Sequence, residues 1–163
     1  MKLFATACCL VLLAACQPYA PPAEDASAGL RPHIDKVLAA WSSLDMAKVA
    51  PYYAKEPDLM FFDVSPFQYK GWAAYEEGFR KTSAQWQSAS IAVGPEFKAT
   101  RRGDVAWAVY TFNFSGTLKD GTKMDGPARA TNILEKRGPD WIIIHEHVSM
   151  PMPEAPPPPA EKR

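Results

Sequence analysis

The apolar positions of the chain follow a helical period in its first half and a period of two in its second half. Apolar residues between Leu30 and Leu44 recur at spacings of three and four, which predicts a first amphipathic helix. Asp45 is placed to cap a second, shorter helix, and Pro51 should kink that helix or end it early. Gly71 opens a third predicted helix with an aromatic stripe, which comprises Trp72, Tyr75, Phe79 and Trp86.

The remaining apolar runs predict strands. The run from Leu59 to Val64 is short and is flanked by turn residues, as strands are. After Gln87, turn residues separate four alternating segments, at about 88–101, 105–117, 122–136 and 141–149. Helices followed by an antiparallel meander predict the α+β class.

The last predicted strand is apolar on both faces, because Ile142 and Ile144 alternate with Trp141 and Ile143. An antiparallel sheet with one face in water would alternate apolar and polar residues instead. Three helices can cover only one face of such a sheet. We therefore expect the other face to pack against a second copy of the chain in a symmetric homodimer.

The composition is that of one ordinary globular domain. The chain has 163 residues, of which 47% are hydrophobic and 22% charged. Eighteen basic and eighteen acidic residues give a net charge of zero, so the positive excess that binds a phosphate backbone is missing. The sequence therefore predicts no nucleic-acid partner.

The first residues predict export. Lys2 precedes an apolar run over residues 3–13 that is too short to span a bilayer, which is typical of a secretory signal. Leu13-Ala14-Ala15-Cys16 also resembles the lipobox of bacterial lipoproteins, whose cysteine is acylated; an ordinary cleaved signal is the alternative. Gln17 resembles the outer-membrane sorting residue of Gram-negative lipoproteins. We therefore expect the chain in the bacterial cell envelope, on the periplasmic face of the outer membrane, with the Cys16 lipid as its only membrane contact.

These features divide the chain into four segments. We predict a signal peptide at 1–15, the acylated cysteine and a Pro-rich tether at 16–28, a folded domain at 29–150, and a Pro-rich disordered tail at 151–163. The tail is either solvated or docks in an aromatic groove. All three cysteines precede the folded domain, so we expect no cysteine chemistry in it.

Several segments resemble the SnoaL-like branch of the nuclear transport factor 2-like superfamily. The resemblance rests on the order of elements, on Phe61-Phe62-Asp63 and Arg129-Ala130-Thr131, and on the closing run from Trp141 to Pro151. It covers residues 29–151 and implies an α+β cone in which a curved antiparallel sheet wraps three N-terminal helices around a pocket. The superfamily contains steroid isomerases, polyketide cyclases and dehydratases, and also non-catalytic assembly modules, so the fold does not select an activity.

Asp63 is the first candidate for a catalytic residue. It follows two phenylalanines on a predicted strand, where burial would raise its pKa and suit a general base. The resemblance to the isomerases, which pair a carboxylate base with neutral hydrogen-bond donors, implies the same role. The alternative is that Asp63 ends the strand and caps a turn near Ser65-Pro66.

Three polar residues on the last strand are further candidates. His145 and His147 share one face, and Glu146 points to the other. The two imidazoles could bind a metal, form structural hydrogen bonds near the dimer face, or act as an acid or base in the pocket. Because the pattern fixes no third ligand, we expect no metal, and His147 is a second catalytic candidate.

The pairing register of the last hairpin decides which side chains meet Glu146. Closing the hairpin at residues 137–140 sets Glu146 opposite Thr131 and beside Arg129, whereas a slip by one residue brings Asn132 opposite. We expect the Glu146 face to be interior. The predicted ligand pocket, in which the aromatic residues could equally be core, comprises Tyr53, Trp72, Trp107, Arg129, Asn132, His145 and Glu146.

The resulting hypothesis is a lipid-anchored envelope protein that binds a small, largely apolar ligand without a cofactor. This hypothesis holds with or without catalysis. If the protein is an enzyme, we expect isomerase- or dehydratase-type proton transfer, with Asp63 as base and with Arg129 or a neutral histidine polarising a carbonyl group. The alternative is a non-catalytic scaffold or accessory subunit of an envelope complex, with the cone filled by side chains. An open cavity of a few hundred cubic ångströms, lined by Asp63 and Glu146, would favour ligand binding.

Overall fold

The computed structural model describes residues 21–152. The predicted signal peptide, the predicted lipidation site Cys16 and most of the predicted tail lie outside the described residues. Within residues 21–152, no helix is long and apolar enough to cross a bilayer.

Three helices form in the first half of the described chain, with bounds α1 (Ser27–Ser42), α2 (Met46–Val49) and α3 (Gly71–Ser83). Asp45 caps α2 as predicted, since its side chain accepts a hydrogen bond from the amide of Ala47 (3.0 Å). Pro51 has no amide hydrogen to continue the α-helical ladder, and α2 gives way to a 3-10 turn at Ala50–Tyr52.

Two residues with helical spacing lie outside the helices. Leu44 follows α1 with a positive φ of 56°, and Trp86 is the first residue of a strand rather than the end of α3. Gly71 opens α3 as predicted. Its φ is 75°, and a Cβ atom there would lie 2.6 Å from the carbonyl oxygen of Pro57, so this start requires glycine.

Seven strands form one sheet, with bounds β1 (Glu24–Asp25), β2 (Met60–Phe62), β3 (Tyr69–Lys70), β4 (Trp86–Arg102), β5 (Val105–Leu118), β6 (Lys123–Arg137) and β7 (Asp140–Ser149). Their order across the sheet is β1-β4-β5-β6-β7-β2-β3. The four long strands β4 to β7 form the predicted meander, and each end lies within two residues of the predicted end.

The sheet is mixed rather than antiparallel, because β2 runs parallel to β7 and pairs Phe61 with Glu146. In addition, α3 follows β2 and β3 along the chain, so only α1 and α2 precede those strands. The prediction of three N-terminal helices within an antiparallel sheet is therefore right only in outline. The structure has three helices and a curved, open, mixed sheet.

A β-bulge in β7 determines which of its side chains face the helices. Near the turn Leu134 pairs with Ile143, which is the register predicted by closing the hairpin. The next pair is Ile133 with His145, so Ile144 is one extra residue on β7 and the pairing shifts there.

The bulge joins the two alternative registers of the sequence prediction in one hairpin. Beyond it, Glu146 lies opposite Asn132 instead of Thr131. Ile143 and Glu146 are both buried, at 0% and 4% exposure, although a regular strand would point residues three apart to opposite faces. Ile142, which a regular strand would place on the same face as Glu146, lies on the other face for this reason.

The core lies between the helices and the inner face of the sheet. The strands contribute small buried side chains to this face, namely Ala99, Ala106, Ala108, Ala128 and Ala130. Because these side chains are short, α1 can lie close to the sheet and bury Leu30, Ile34 and Val37. On the outer face of the single chain, Trp107 and Val109 are 36% and 42% exposed. These are the side chains that the predicted dimer would cover, and the dimer itself stays a prediction.

Candidate functional site

The cone contains a cavity of about 310 Å³ between the helices and the inner face of the sheet. Val64, Met124 and Met150 line it and are 50%, 47% and 38% exposed, so they mark its mouth. Most of the other lining residues are aromatic or aliphatic. The lining includes Trp41, Tyr69, Tyr75, Phe79, Trp86, Tyr110, Phe112, Phe114, Asp63 and Glu146.

Glu146 is held at the inner end of this cavity by three hydrogen bonds. The Tyr75 hydroxyl donates to Oε1 (2.5 Å), and the Tyr53 hydroxyl and the Asn132 amide donate to Oε2 (2.9 and 2.6 Å). Glu146 is only 4% exposed. A buried carboxylate has to be satisfied by donors in this way, because it has lost its water.

The direction of this hydrogen-bond network is fixed by its outermost donor. The indole of Trp41 can only donate, and it donates to the Tyr53 hydroxyl (2.8 Å), so the proton of Tyr53 points to Glu146. On the other side, Tyr110 donates to Oδ1 of Asn132 (2.7 Å), which turns the amide of Asn132 toward Glu146.

The tyrosines of this network are neutral donors. Burial raises the pKa of Tyr53 and of Tyr75 well above the usual value, and the charge of Glu146 raises both further. Burial and Glu146 act in the same direction on the pKa of Tyr110. Their hydroxyl groups therefore keep their protons and hold Glu146 in one orientation.

Asp63 lies just past the end of β2, half-buried, and lines the same cavity. Burial raises its pKa from 3.8 to about 6, the amide of Val64 opposes this by donating to Oδ1 (2.7 Å), and the charge of Glu146 raises it further. Asp63 therefore accepts a backbone hydrogen bond at the end of the strand and also faces the cavity, while its role as a base stays a prediction.

Tyr69 is a cavity residue that the sequence analysis missed. Its side chain is 8% exposed and lines the cavity, and a Cβ atom at Gly78 would overlap its ring. Among the described residues its hydroxyl has no hydrogen-bond partner. Burial and then the charge of Asp63 raise its pKa. No signal in the sequence marks this position, because β3 has only two residues and so shows no alternation of apolar and polar side chains.

The structure brings four of the predicted site residues together on the inner side. Asp63 and Glu146 line the cavity, while Tyr53 and Asn132 reach it through their hydrogen bonds to Glu146. Trp72 is buried behind Tyr53, with the ring centroids 5.7 Å apart, and does not line the cavity. Trp72 therefore supports the site by packing.

The other predicted site residues lie on the outer face. The ring of His145 donates from Nδ1 to the carbonyl oxygen of Met60 (2.8 Å), and Arg129 donates to the hydroxyl of Ser149 (3.0 Å). His147 is exposed, and it borders with Arg129 an open hollow of about 450 Å³ on this face.

The sheet thus separates His147, His145, Arg129 and Trp107 from Asp63. The sequence prediction grouped residues of both faces. Strand alternation already put His145 and His147 opposite Glu146, and the choice between Arg129 and Asn132 depended on a register that the sequence did not fix. The expected roles of His147 as a catalytic partner of Asp63 and of Arg129 as a polarising group in the same pocket do not fit this placement. In residues 21–152, no group of three or more His, Cys, Asp or Glu side chains is arranged to bind a metal.

Comparisons with solved structures show the fold. A nuclear transport factor 2-like superfamily protein from Salmonella enterica has a TM-score of 0.70 and 18% identity, over 83% of this chain and 96% of the other. A Streptomyces avermitilis protein labelled as a dehydratase of the same family has a TM-score of 0.66 and 14% identity, over 77% of this chain and 95% of the other.

A third structure is more similar in sequence. A Xanthomonas campestris protein labelled as a calcium/calmodulin-dependent protein kinase II association domain has a TM-score of 0.65 and 27% identity, over 78% of this chain and 88% of the other. No curated protein matches the chain. Residues 31–153, most of the chain, match the SnoaL-like domain. The protein therefore belongs to the SnoaL-like domain family.

Proposed function

We propose that the domain binds a small, largely apolar ligand in the inner cavity and that Asp63 takes a proton from this ligand. The observation that carries the proposal is a carboxyl group with a pKa of about 6 that faces an apolar cavity. A general base works best when its pKa lies near the working pH.

The size of the cavity limits the ligand. A dry protein cavity of about 150 Å³ holds one benzene ring, and the cavity here measures about 310 Å³. A ligand of about two fused rings therefore fits. The aromatic walls favour an apolar ring body, and the carboxyl groups favour a ligand with one polar end.

Asp63 and Tyr69 can divide the work of proton transfer next to a carbonyl group. Asp63 accepts the proton, because among the described residues its only hydrogen bond comes from the Val64 amide. Tyr69 keeps its own proton, since its pKa is raised, and its hydroxyl can donate to the carbonyl oxygen as negative charge develops there. Glu146 is less suited to act as the base, because three donors already occupy its oxygens.

The test substrate is β-tetralone, a two-ring ketone of suitable size. We expect the purified protein to catalyse exchange of its protons next to the carbonyl group for deuterium, which proton NMR in deuterated water measures directly. Asp63→Asn should lower the rate by about a hundredfold or more, and Tyr69→Phe by at least about tenfold.

Asp104→Asn is the matched control, since Asp104 is an exposed carboxylate in the turn between β4 and β5. It should leave the rate unchanged. Thermal unfolding followed by circular dichroism verifies that each variant is folded. A folded Asp63→Asn variant with the full exchange rate would remove Asp63 from the mechanism.

A second candidate function is that of a scaffold, and the likeness to the association domain from Xanthomonas campestris favours it. We propose a homodimer that forms through the outer face, where Trp107 and Val109 are exposed. Dimerisation through this face is compatible with ligand binding, since the cavity lies on the other side of the sheet.

We also propose that Cys16 is acylated and tethers the domain to the periplasmic face of the outer membrane. Support comes from the sequence Leu13-Ala14-Ala15-Cys16 after the apolar run. Metabolic labelling with a palmitate analogue tests this, with Cys16→Ser as the control that should lose the label.

A further inference from the structure

We infer that the ligand of the inner cavity carries a positive charge, as an apolar ring body with a protonated or quaternary amine. This inference rests on the proposed function, because it names the chemical class of the ligand that the same cavity binds. It follows from the charges in the cavity and from its aromatic walls.

Two carboxyl groups face the cavity without a cation. Asp63 and Glu146 line it, and among the lining residues that the structure describes there is no lysine, arginine or histidine. The ion pairs of the described chain involve other carboxylates, such as Glu76 with Arg80 on α3. A ligand with a positive charge would compensate the two carboxylates, whereas an anionic ligand would be repelled by both.

The walls of the cavity are those that bind organic cations elsewhere. A cation is attracted to the negative face of an aromatic ring, and sites for quaternary amines are commonly enclosed by several such rings. Eight aromatic side chains line this cavity, among them Trp41, Phe79, Trp86 and Phe114.

Three probes of the same shape and different charge test the inference. They are β-tetralylamine, which is protonated at neutral pH, the neutral β-tetralone, and the anionic tetralin β-carboxylate. We expect isothermal titration calorimetry on the purified protein to show the amine binding at least about tenfold more tightly than the ketone. The carboxylate should bind most weakly.

Variants identify the groups that recognise the charge. Asp63→Asn should remove most of the preference for the amine while the affinity for the ketone stays within about threefold. Glu146→Gln serves as a second variant in case Asp63→Asn fails to fold, and Asp104→Asn should behave as the wild type. A preference for the amine that persists in folded forms of both cavity variants would overturn recognition by the carboxylates.

The outcomes separate this inference from the proposed function. Equal affinities for amine and ketone, or tightest binding of the carboxylate, would overturn the positive charge while leaving the ligand cavity in place. Failure of all three probes to bind would overturn the ligand cavity and the inference with it.

Discussion

Asp63 is a residue whose position destabilises the fold at neutral pH. Burial raises its pKa from 3.8 to about 6, so the folded state binds the proton more tightly than the unfolded state does. The stability that the protonated Asp63 gives to the folded state, relative to its ionised form, is fully present below about pH 4. It is lost as the pH rises through about 6. Above that pH the ionised carboxylate costs about 2–3 kcal/mol of folding free energy.

Asp63→Asn should therefore stabilise the protein at alkaline pH. We expect a higher free energy of unfolding than that of the wild type at about pH 8, with the difference shrinking toward zero near pH 4. Urea denaturation at several pH values measures this difference, with Asp104→Asn as the control. A difference that does not change with pH would show that the carboxyl group of Asp63 titrates normally.

At the scale of elements, local signals in the sequence predicted the long strands and the helix starts. Asp45 acts through its immediate neighbour Ala47, and the turns between β4 and β7 depend on a few adjacent residues. Such features are visible in a sequence because the residues that cause them are contiguous.

The features that the sequence did not predict depend on distant pairing. The bulge at Ile144 is decided by how β7 fits β6 and β2 simultaneously, and no turn residue marks it. Because one extra residue reverses the faces of a strand, this single feature moved Ile142 away from the side of Glu146. It also separated the outer histidines from the cavity.

The hydrogen-bond network around Glu146 was predicted only in part for the same reason. Asn132 and Tyr53 were candidates, whereas Tyr75 was predicted only as part of the aromatic stripe of the third helix, and Tyr110 could line a pocket or belong to the core. Their hydroxyl groups meet only when α3 and β5 are folded against β7. A buried polar network of this kind is therefore recognised from the three-dimensional structure.

For the whole molecule, the two faces of the sheet have separate roles. The inner face forms the core and the cavity, and the outer face exposes Trp107 and Val109. Native mass spectrometry should show a dimer, and Trp107→Glu should convert it to a monomer, because a buried charge opposes association.

Val64→Glu is the matched control for the dimer. Val64 is also an exposed apolar residue, at 50%, but it lines the mouth of the cavity on the inner side of the sheet, and its replacement should leave the dimer intact. A monomeric wild-type protein would contradict the interpretation of the two-sided strand β7.

The most direct test of the ligand cavity uses the methionines as reporters. Met124 and Met150 line the mouth of the cavity, whereas Met46 lies in the core outside it. With carbon-13 in the methionine methyl groups, titration of β-tetralone should shift the NMR signals of Met124 and Met150 in a saturable manner and leave Met46 unchanged. Signals of Met124 and Met150 that stay in place at saturating ligand would contradict a binding site in the cone.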